Sequence, residues 1–133
     1  MNDYVKEPQN QSKGCGGIMR VAPVALNYKH MEMGTLDMEG AQIAAITHGH
    51  SLGYMPAAIV THIINCIVFG EEKKTLKNIV IEARDKVAEI FREDRHLKEL
   101  TDIIDLAIEL SGNEADDLDN IHRLGEGWVA EET

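Results

Sequence analysis

Apolar residues recur at helical spacing along most of the chain. The spacing predicts amphipathic helices over about Thr75–Phe91 and Arg95–Leu110, each with one apolar face. The stretch Tyr54–Phe69 is apolar on nearly every side, which is typical of a helix at the centre of a bundle. Asp37 is expected to be the N-cap of an earlier helix. No useful stretch alternates apolar and polar residues, so the sequence predicts an all-α fold.

The sequence predicts a single partial domain over residues 1–133, which consists of a lead-in and two halves. Residues 1–9 are polar and predict an extended or disordered lead-in. Residues 10–70 form a half with a glycine-rich loop and the buried helix, and residues 71–133 form an acidic half of amphipathic helices. Four shorter segments complete the prediction: a helix over Ile18–Tyr28, a connection over Lys29–Leu36, an acidic loop over Asn113–Asn120 and a last helix from about Gly127.

Charge is distributed unevenly between the two halves. Residues 1–70 carry four Lys/Arg and five Asp/Glu, a net charge of −1, whereas residues 71–133 carry nine and eighteen, a net of −9. An acidic surface repels phosphate backbones, so a nucleic-acid partner is not expected. Cys15 and Cys66 have no metal-ligand spacing, and residue usage favours free thiols in a reducing compartment over the alternative of a disulfide between them. We therefore expect a cytoplasmic protein. The longest clean apolar run is short for a bilayer, so no membrane span is expected.

The glycine-rich stretch from Asn10 to Pro23 is the strongest candidate for a binding site. It places Gly14, Gly16 and Gly17 within four positions and then becomes apolar. Glycine permits positive φ and close approach of the backbone, and backbone N–H groups before a helix favour anions. Asn10, Ser12 and Arg20 add polar donors. The loop therefore suits a phosphate or a sugar diol, although a flexible hinge before a helix has the same composition.

Two further stretches contain motifs that bear on the function of this loop. Residues 47–58 read Thr-His-Gly-His-Ser-Leu-Gly-Tyr-Met-Pro-Ala-Ala, and residues 124–132 read Leu-Gly-Glu-Gly-Trp-Val-Ala-Glu-Glu. With the loop, in this order, they resemble the ADP-ribosylglycohydrolase family, whose members remove ADP-ribose from proteins. The resemblance spans from about Asn10 to the end, with a looser middle between Gly70 and Ile121. It implies an orthogonal helical bundle, of which this chain would be an internal piece.

The resemblance also implies a substrate site and metal ions. It implies contacts with ADP-ribose from eight residues: Asn10, Ser12, Gly14, Gly16, Gly17, Met19, Arg20 and His48. The family uses two Mg²⁺ ions held by a Thr-Asp-Asp segment and an Asp-x-Asp-Thr segment, and neither segment occurs in these 133 residues. We therefore expect hydrolysis of an N- or O-glycosidic bond of ADP-ribose by the parent enzyme and no catalytic residue in this chain. The alternative is a non-catalytic crystallin-like protein or a helical interaction module of the same fold.

Several side chains have structural explanations that compete with functional ones. His62 on the buried helix is expected to be a hydrogen-bonded core residue, and His50 a turn residue. Trp128 is expected in the core, and the alternative is a wall near the adenine side of the ligand. Three acids near the C-terminus are interpreted as helix-start and surface residues: Glu126, Glu131 and Glu132. Without neighbouring helices, the apolar faces of Tyr54–Phe69 would lack partners, so a homodimer or higher oligomer is expected.

Overall fold

A computed structural model describes residues 2–29 and 31–133 of the chain. Within these residues there are six α-helices, two short 3-10 helices and no strand, which confirms the all-α prediction. The α-helices are α1 Ala22–Asn27, α2 Met33–Ala45, α3 Ser51–Phe69, α4 Leu76–Ile90, α5 Leu97–Leu110 and α6 Asp117–Leu124, and the 3-10 helices are Cys15–Arg20 and Ala130–Glu132.

Helix α3 is the centre of the bundle, and α1, α2 and α4 all pack against it. Every residue from Ser51 to Ile59 is buried, because this part of the helix has apolar or small side chains on all sides. Helix α3 meets the length and composition of a membrane span, with a mean hydropathy of 1.7, contrary to the sequence-based expectation. Most of that stretch is buried inside the bundle, and the core helix of a soluble protein has the same composition.

Helices α2 and α3 make the closest contact in the fold. A methyl group on Gly40 would lie 2.2 Å from the hydroxyl oxygen of Thr61, so only glycine allows this approach. Asp37 is fully buried and lies 2.9 Å from Nδ1 of His62. The prediction that His62 is a hydrogen-bonded core histidine is therefore confirmed. The N-cap prediction for Asp37 was wrong: α2 begins four residues earlier, and Glu32 accepts hydrogen bonds from the first-turn amides.

The amphipathic helices α4 and α5 cover the core on one side. Thr75 caps α4 through its hydroxyl oxygen, which accepts from the amide of Asn78. Helix α5 begins at Leu97, close to the predicted start. The predicted acidic loop over Asn113–Asn120 was partly wrong, because α6 begins within it. Asp116 caps α6 by accepting a hydrogen bond from the amide of Leu118. Two acids in the first turn interact favourably with the positive end of the helix dipole.

Both ends of the chain pack onto the bundle. Residues 2–9, predicted to be extended or disordered, form a turn tied to α2 by Gln42, which accepts from the amide of Tyr4 and donates to Asp3. At the other end, residues 125–133 contain the short 3-10 helix Ala130–Glu132 instead of the last helix predicted from about Gly127. Trp128 is 77% exposed, so its predicted place in the core was wrong.

The apolar surface of α3 is covered unevenly. Ile59 is buried, and Ile63 and Ile64 are partly covered by neighbouring helices. Ile67 and Val68, in the last turn, are more than half exposed. The surface that would support self-association is therefore smaller than the sequence suggested, and the oligomeric state remains a prediction.

Candidate functional site

The glycine-rich loop is held against the turn before α3 by one asparagine side chain. Oδ1 of Asn10 accepts hydrogen bonds from two backbone amides, that of Ser12 at 2.9 Å and that of Gly49 at 3.0 Å. The carbonyl of Ser12 in turn accepts from the amide of His50. Two of these bonds, from the amides of Gly49 and His50, join segments that are nearly forty residues apart in the sequence. They fix where the loop lies relative to His48.

The ring of His48 lies directly against the loop glycines. A Cβ atom on Gly16 would lie 3.0 Å from both Cε1 and Nε2 of His48, and one on Gly14 would lie 3.6 Å from Nε2. Gly17 is buried, and a Cβ there would lie 3.1 Å from Ala44. Positive φ is found only at Gly125 and Gly127 among the described residues. The loop glycines therefore provide close approach of the backbone, and not the left-handed conformation considered from the sequence.

The electrostatic environment of His48 favours the neutral ring. Partial burial lowers the pKa of His48, and the positive charge of Arg20 lowers it further. The hydroxyl oxygen of Thr47 lies 2.8 Å from Nδ1. Nδ1 therefore has a polar partner. The other ring nitrogen, Nε2, lies on the side of the glycines, and it is the nitrogen that a ligand can use.

The outer part of the loop is exposed to solvent. Ser12 and Arg20 are both exposed, and Met19 is 75% exposed beside Gly16. A hydroxyl, a guanidinium and an imidazole therefore surround one short stretch of backbone. Such a group can bind a diphosphate through charge and a sugar through hydroxyl hydrogen bonds.

The C-terminal segment supports the loop from the other side. The amide of Cys15 donates to the carbonyl of Trp128, and the amide of Ala130 donates to the carbonyl of Lys13. Nζ of Lys13 lies 2.7 Å from Oε1 of Glu131, whose side chain is only 5% exposed. This hydrogen bond raises the pKa of Lys13. Glu131 was interpreted as a surface acid, and that interpretation was wrong because the ion pair holds it under the loop.

The three segments that carry the family resemblance thus meet at one place in the fold. The family model described as ADP-ribosylglycohydrolase matches residues 2–133. The chain belongs to the ADP-ribosylglycohydrolase family. No curated protein and no solved structure matches it significantly. Membership supports an ADP-ribosylglycohydrolase-like function in general and implies ADP-ribosylated substrates in general.

The metal ions of an ADP-ribosylglycohydrolase have no matching ligands at this loop. Mg²⁺ prefers carboxylate oxygens and water. The residues around His48 provide an imidazole, a hydroxyl and a guanidinium, and Glu131 is paired with Lys13. In the described part of the chain, one group of three side chains lies close enough together to bind a metal ion: His62, Cys66 and Glu82. A thiol and an imidazole do not suit Mg²⁺. Neither the residues around His48 nor this group of three therefore fits the two Mg²⁺ ions.

The eight contact residues predicted from the sequence lie together in the structure. The ion pair that supports the loop was not predicted. Seven lie on the loop, and the ring of the eighth, His48, contacts its glycines. Whether they bind ADP-ribose remains a prediction. The ion pair between Lys13 and Glu131 was missed because its partners are 118 residues apart. The only available signal was the third motif, which contains Glu131.

Proposed function

We propose that this chain forms one side of the ADP-ribose pocket of an ADP-ribosylglycohydrolase that hydrolyses an N- or O-glycosidic bond of ADP-ribose. The observation that carries the proposal is the contact between the ring of His48 and the loop glycines, with exposed Ser12 and Arg20 beside it. A ligand placed there meets backbone, a hydroxyl, an imidazole and a positive charge. Residues 71–133 carry a net charge of −9, so the nearly neutral half that contains the loop is the more favourable place in this chain for an anionic ligand.

Each polar group has a role that suits its chemistry. The guanidinium of Arg20 pairs with the diphosphate, since planar N–H donors match phosphate oxygens. The hydroxyl of Ser12 and the Nδ2 donors of Asn10 bind ribose hydroxyls. Neutral His48 presents Nε2 to the ligand, and Met19 covers one side as apolar support. Because the loop glycines lack Cβ atoms, the ring of His48 packs against the loop backbone, and a ligand at the loop would meet both the ring and the backbone.

This surface contributes orientation to hydrolysis. Holding the diphosphate fixes the position of the ribose, and positioning of this kind supplies rate without any bond-making by the residues that do it. By the resemblance, Mg²⁺ ions would supply Lewis-acid chemistry to this hydrolysis, and the residues of the loop would not be their ligands.

A titration with ADP-ribose, followed by amide NMR, tests the proposal. We expect the amides of Gly14, Gly16, Gly17 and His48 to shift first. Affinity should be weak, because one side of a pocket leaves much of the ligand in water. Replacing Arg20 by alanine should weaken binding about 5–20-fold, as expected for the loss of one charged hydrogen bond at an exposed site.

Arg92→Ala is the matched control, because Arg92 is exposed and its one ion pair among the described residues is with the neighbouring Glu93. It removes the same charge far from the loop in sequence, and it should leave the affinity unchanged. Shifts confined to residues 71–133, or equal losses in the two variants, would contradict the proposal. That outcome would favour the helical interaction module.

A further inference from the structure

Helix α3 carries a second group of chemically reactive side chains, separate from the glycine-rich loop. His62 and Cys66 are one turn apart on α3, and Glu82 of α4 faces them. One ligand atom from each lies within 4.8 Å of the other two. Cys66 also lines a cavity of about 340 Å³ that is bordered by Gly70, Lys74 and Ile79. Solvent can therefore approach the group from one side.

The orientation of His62 is fixed by a buried carboxylate. His62 is 1% exposed, and its Nδ1 lies 2.9 Å from Oδ2 of Asp37. With Asp37 as the acceptor, Nδ1 of His62 donates this hydrogen bond, and Nε2 is the ring nitrogen left for a ligand. Burial raises the pKa of Asp37, and the hydrogen bond from His62 opposes this effect. The same carboxylate–histidine arrangement orients metal-binding histidines in many proteins.

The other ring nitrogen has no partner among the described residues. Nε2 of His62 is buried without a hydrogen bond. The nearest charged oxygen is Oε1 of Glu82, 3.8 Å away. A buried, unpaired ring nitrogen therefore faces a carboxyl oxygen at a distance too long for a hydrogen bond, and a metal ion placed between the two atoms would pair with both.

We propose that Nε2 of His62, Sγ of Cys66 and Oε1 of Glu82 bind a divalent transition metal ion, for which Zn²⁺ is the best match. Imidazole, thiolate and carboxylate are all zinc ligands, and a water molecule completes four-coordinate geometry. The thiol favours zinc over Mg²⁺ or Ca²⁺. The site shares no residue with the glycine-rich loop, so it does not depend on the proposed ADP-ribose binding.

The distances permit coordination after a small local movement. Ligand atoms on a tetrahedral zinc ion lie about 3.3–3.6 Å from one another, given metal–ligand bonds of about 2.0–2.3 Å. The separation of 3.8 Å between His62 and Glu82 is near this range. Cys66 and Glu82 are not fully buried, so rotation of their side chains brings them closer. Binding releases the thiol proton, and the charges of thiolate and carboxylate then balance the metal.

Lys74 is the group that opposes binding. Its ammonium lies 2.7 Å from Oε2 of Glu82 and is partly exposed. Because it contacts the oxygen that does not face His62, it remains compatible with coordination through Oε1. Its positive charge nevertheless weakens the attraction of a cation, so Lys74→Met should tighten metal binding.

Cobalt spectroscopy of the full chain, reduced and freed of metal, provides the main test. One equivalent of Co²⁺ should produce a thiolate-to-cobalt charge-transfer band, and Zn²⁺ should remove it by displacement. Because a proton is released, affinity should increase about tenfold per pH unit below the thiol pKa. Absence of the band at stoichiometric Co²⁺ would overturn the proposal.

The two cysteines of the chain provide matched variants. Cys66→Ser should abolish the band, and Cys15→Ser should preserve it. Glu82→Gln changes a partly exposed side chain, so it should fold normally, and it should weaken binding at least about tenfold by loss of a charged ligand. The reverse result for the cysteines, or unchanged affinity in Glu82→Gln, would overturn the three-ligand site.

An observation on the unchanged protein avoids any question of folding. In ¹⁵N NMR spectra of the histidine side chains, Zn²⁺ should shift Nε2 of His62 while Nδ1 keeps its proton. A ring that carries protons on both nitrogens and does not respond to Zn²⁺ would show that a proton bridges Asp37 and Glu82. That result would also overturn the proposal.

Discussion

Replacing Gly49 by alanine perturbs the contact that positions the glycine-rich loop. A methyl group there would lie 2.5 Å from the backbone oxygen of Asn10 and 3.0 Å from Cβ of Pro8. Ordinary contact between such atoms requires about 3.4–3.5 Å, so the loop must move by roughly 1 Å. Gly49 is buried, and the backbone of Asn10 cannot rotate away as a flexible side chain would.

The expected cost follows from three contributions. Overpacking of this kind costs about 1–3 kcal/mol. The hydrogen bond from the amide of Gly49 to Oδ1 of Asn10 is 3.0 Å long, and its loss adds about 0.5–1.5 kcal/mol. Alanine restricts the unfolded chain, which opposes these effects by about 0.4–1 kcal/mol. We expect a net decrease of about 2 kcal/mol in the free energy of unfolding.

Urea denaturation and thermal unfolding measure this change directly. Gly112→Ala is the matched control, because its nearest neighbour would be the carbonyl oxygen of Glu109 at 3.6 Å, an ordinary contact. The melting temperature of Gly49→Ala should fall by about 6–10 °C, and that of the control should hardly change. Equal stabilities for the two variants would refute the steric argument and the position of the loop derived from it.

Three further predictions concern the site and the assembly. Glu131→Gln should destabilise the fold by about 1–3 kcal/mol through loss of the Lys13 ion pair, whereas Glu126→Gln should have little effect; equal denaturation midpoints would contradict this. Because a bound diphosphate favours the charged ring, ADP-ribose should raise the pKa of His48. The affinity for ADP-ribose should then increase as the pH falls from the pKa of His48 in the bound protein to that in the free protein. An NMR pH titration of His48 with and without ADP-ribose checks the pKa change and the pH dependence. Light scattering at micromolar concentration should show at least a dimer, and a cooperatively unfolding monomer would show that the apolar end of α3 needs no partner.

Elements with strong periodicity could be predicted from the sequence. Helices α4 and α5 have one apolar face each, and their bounds lie within two residues of the prediction at all four ends. Thr75, at which the helix was predicted to begin, is the N-cap of α4. The buried helix was recognised because it is apolar on all sides, although its first turn, from Ser51, was read as part of the preceding loop. Patterns of this kind depend on local sequence, which is why they succeed.

Long-range packing decided the elements that were predicted wrongly. Asp37 has the chemistry of an N-cap, yet it pairs with His62 in the core, and Glu32 provides the cap. Trp128 is apolar enough for the core, but the segment around it is used for backbone contact with Cys15, and the ring stays outside. In both cases a partner far away in sequence determined the environment. Local composition contains no information about such a partner.

The glycine-rich loop shows why binding and stability are linked at this site. Its glycines allow the ring of His48 to approach the backbone, so the residues that resemble a ligand cradle are also packing contacts. A substitution that moves the loop, such as Gly49→Ala, should therefore lower both stability and affinity for ADP-ribose. Arg20 is exposed, so Arg20→Ala should lower affinity alone. If both variants lost affinity in proportion to stability, the loop would be a structural element, and the proposed pocket would have to lie elsewhere.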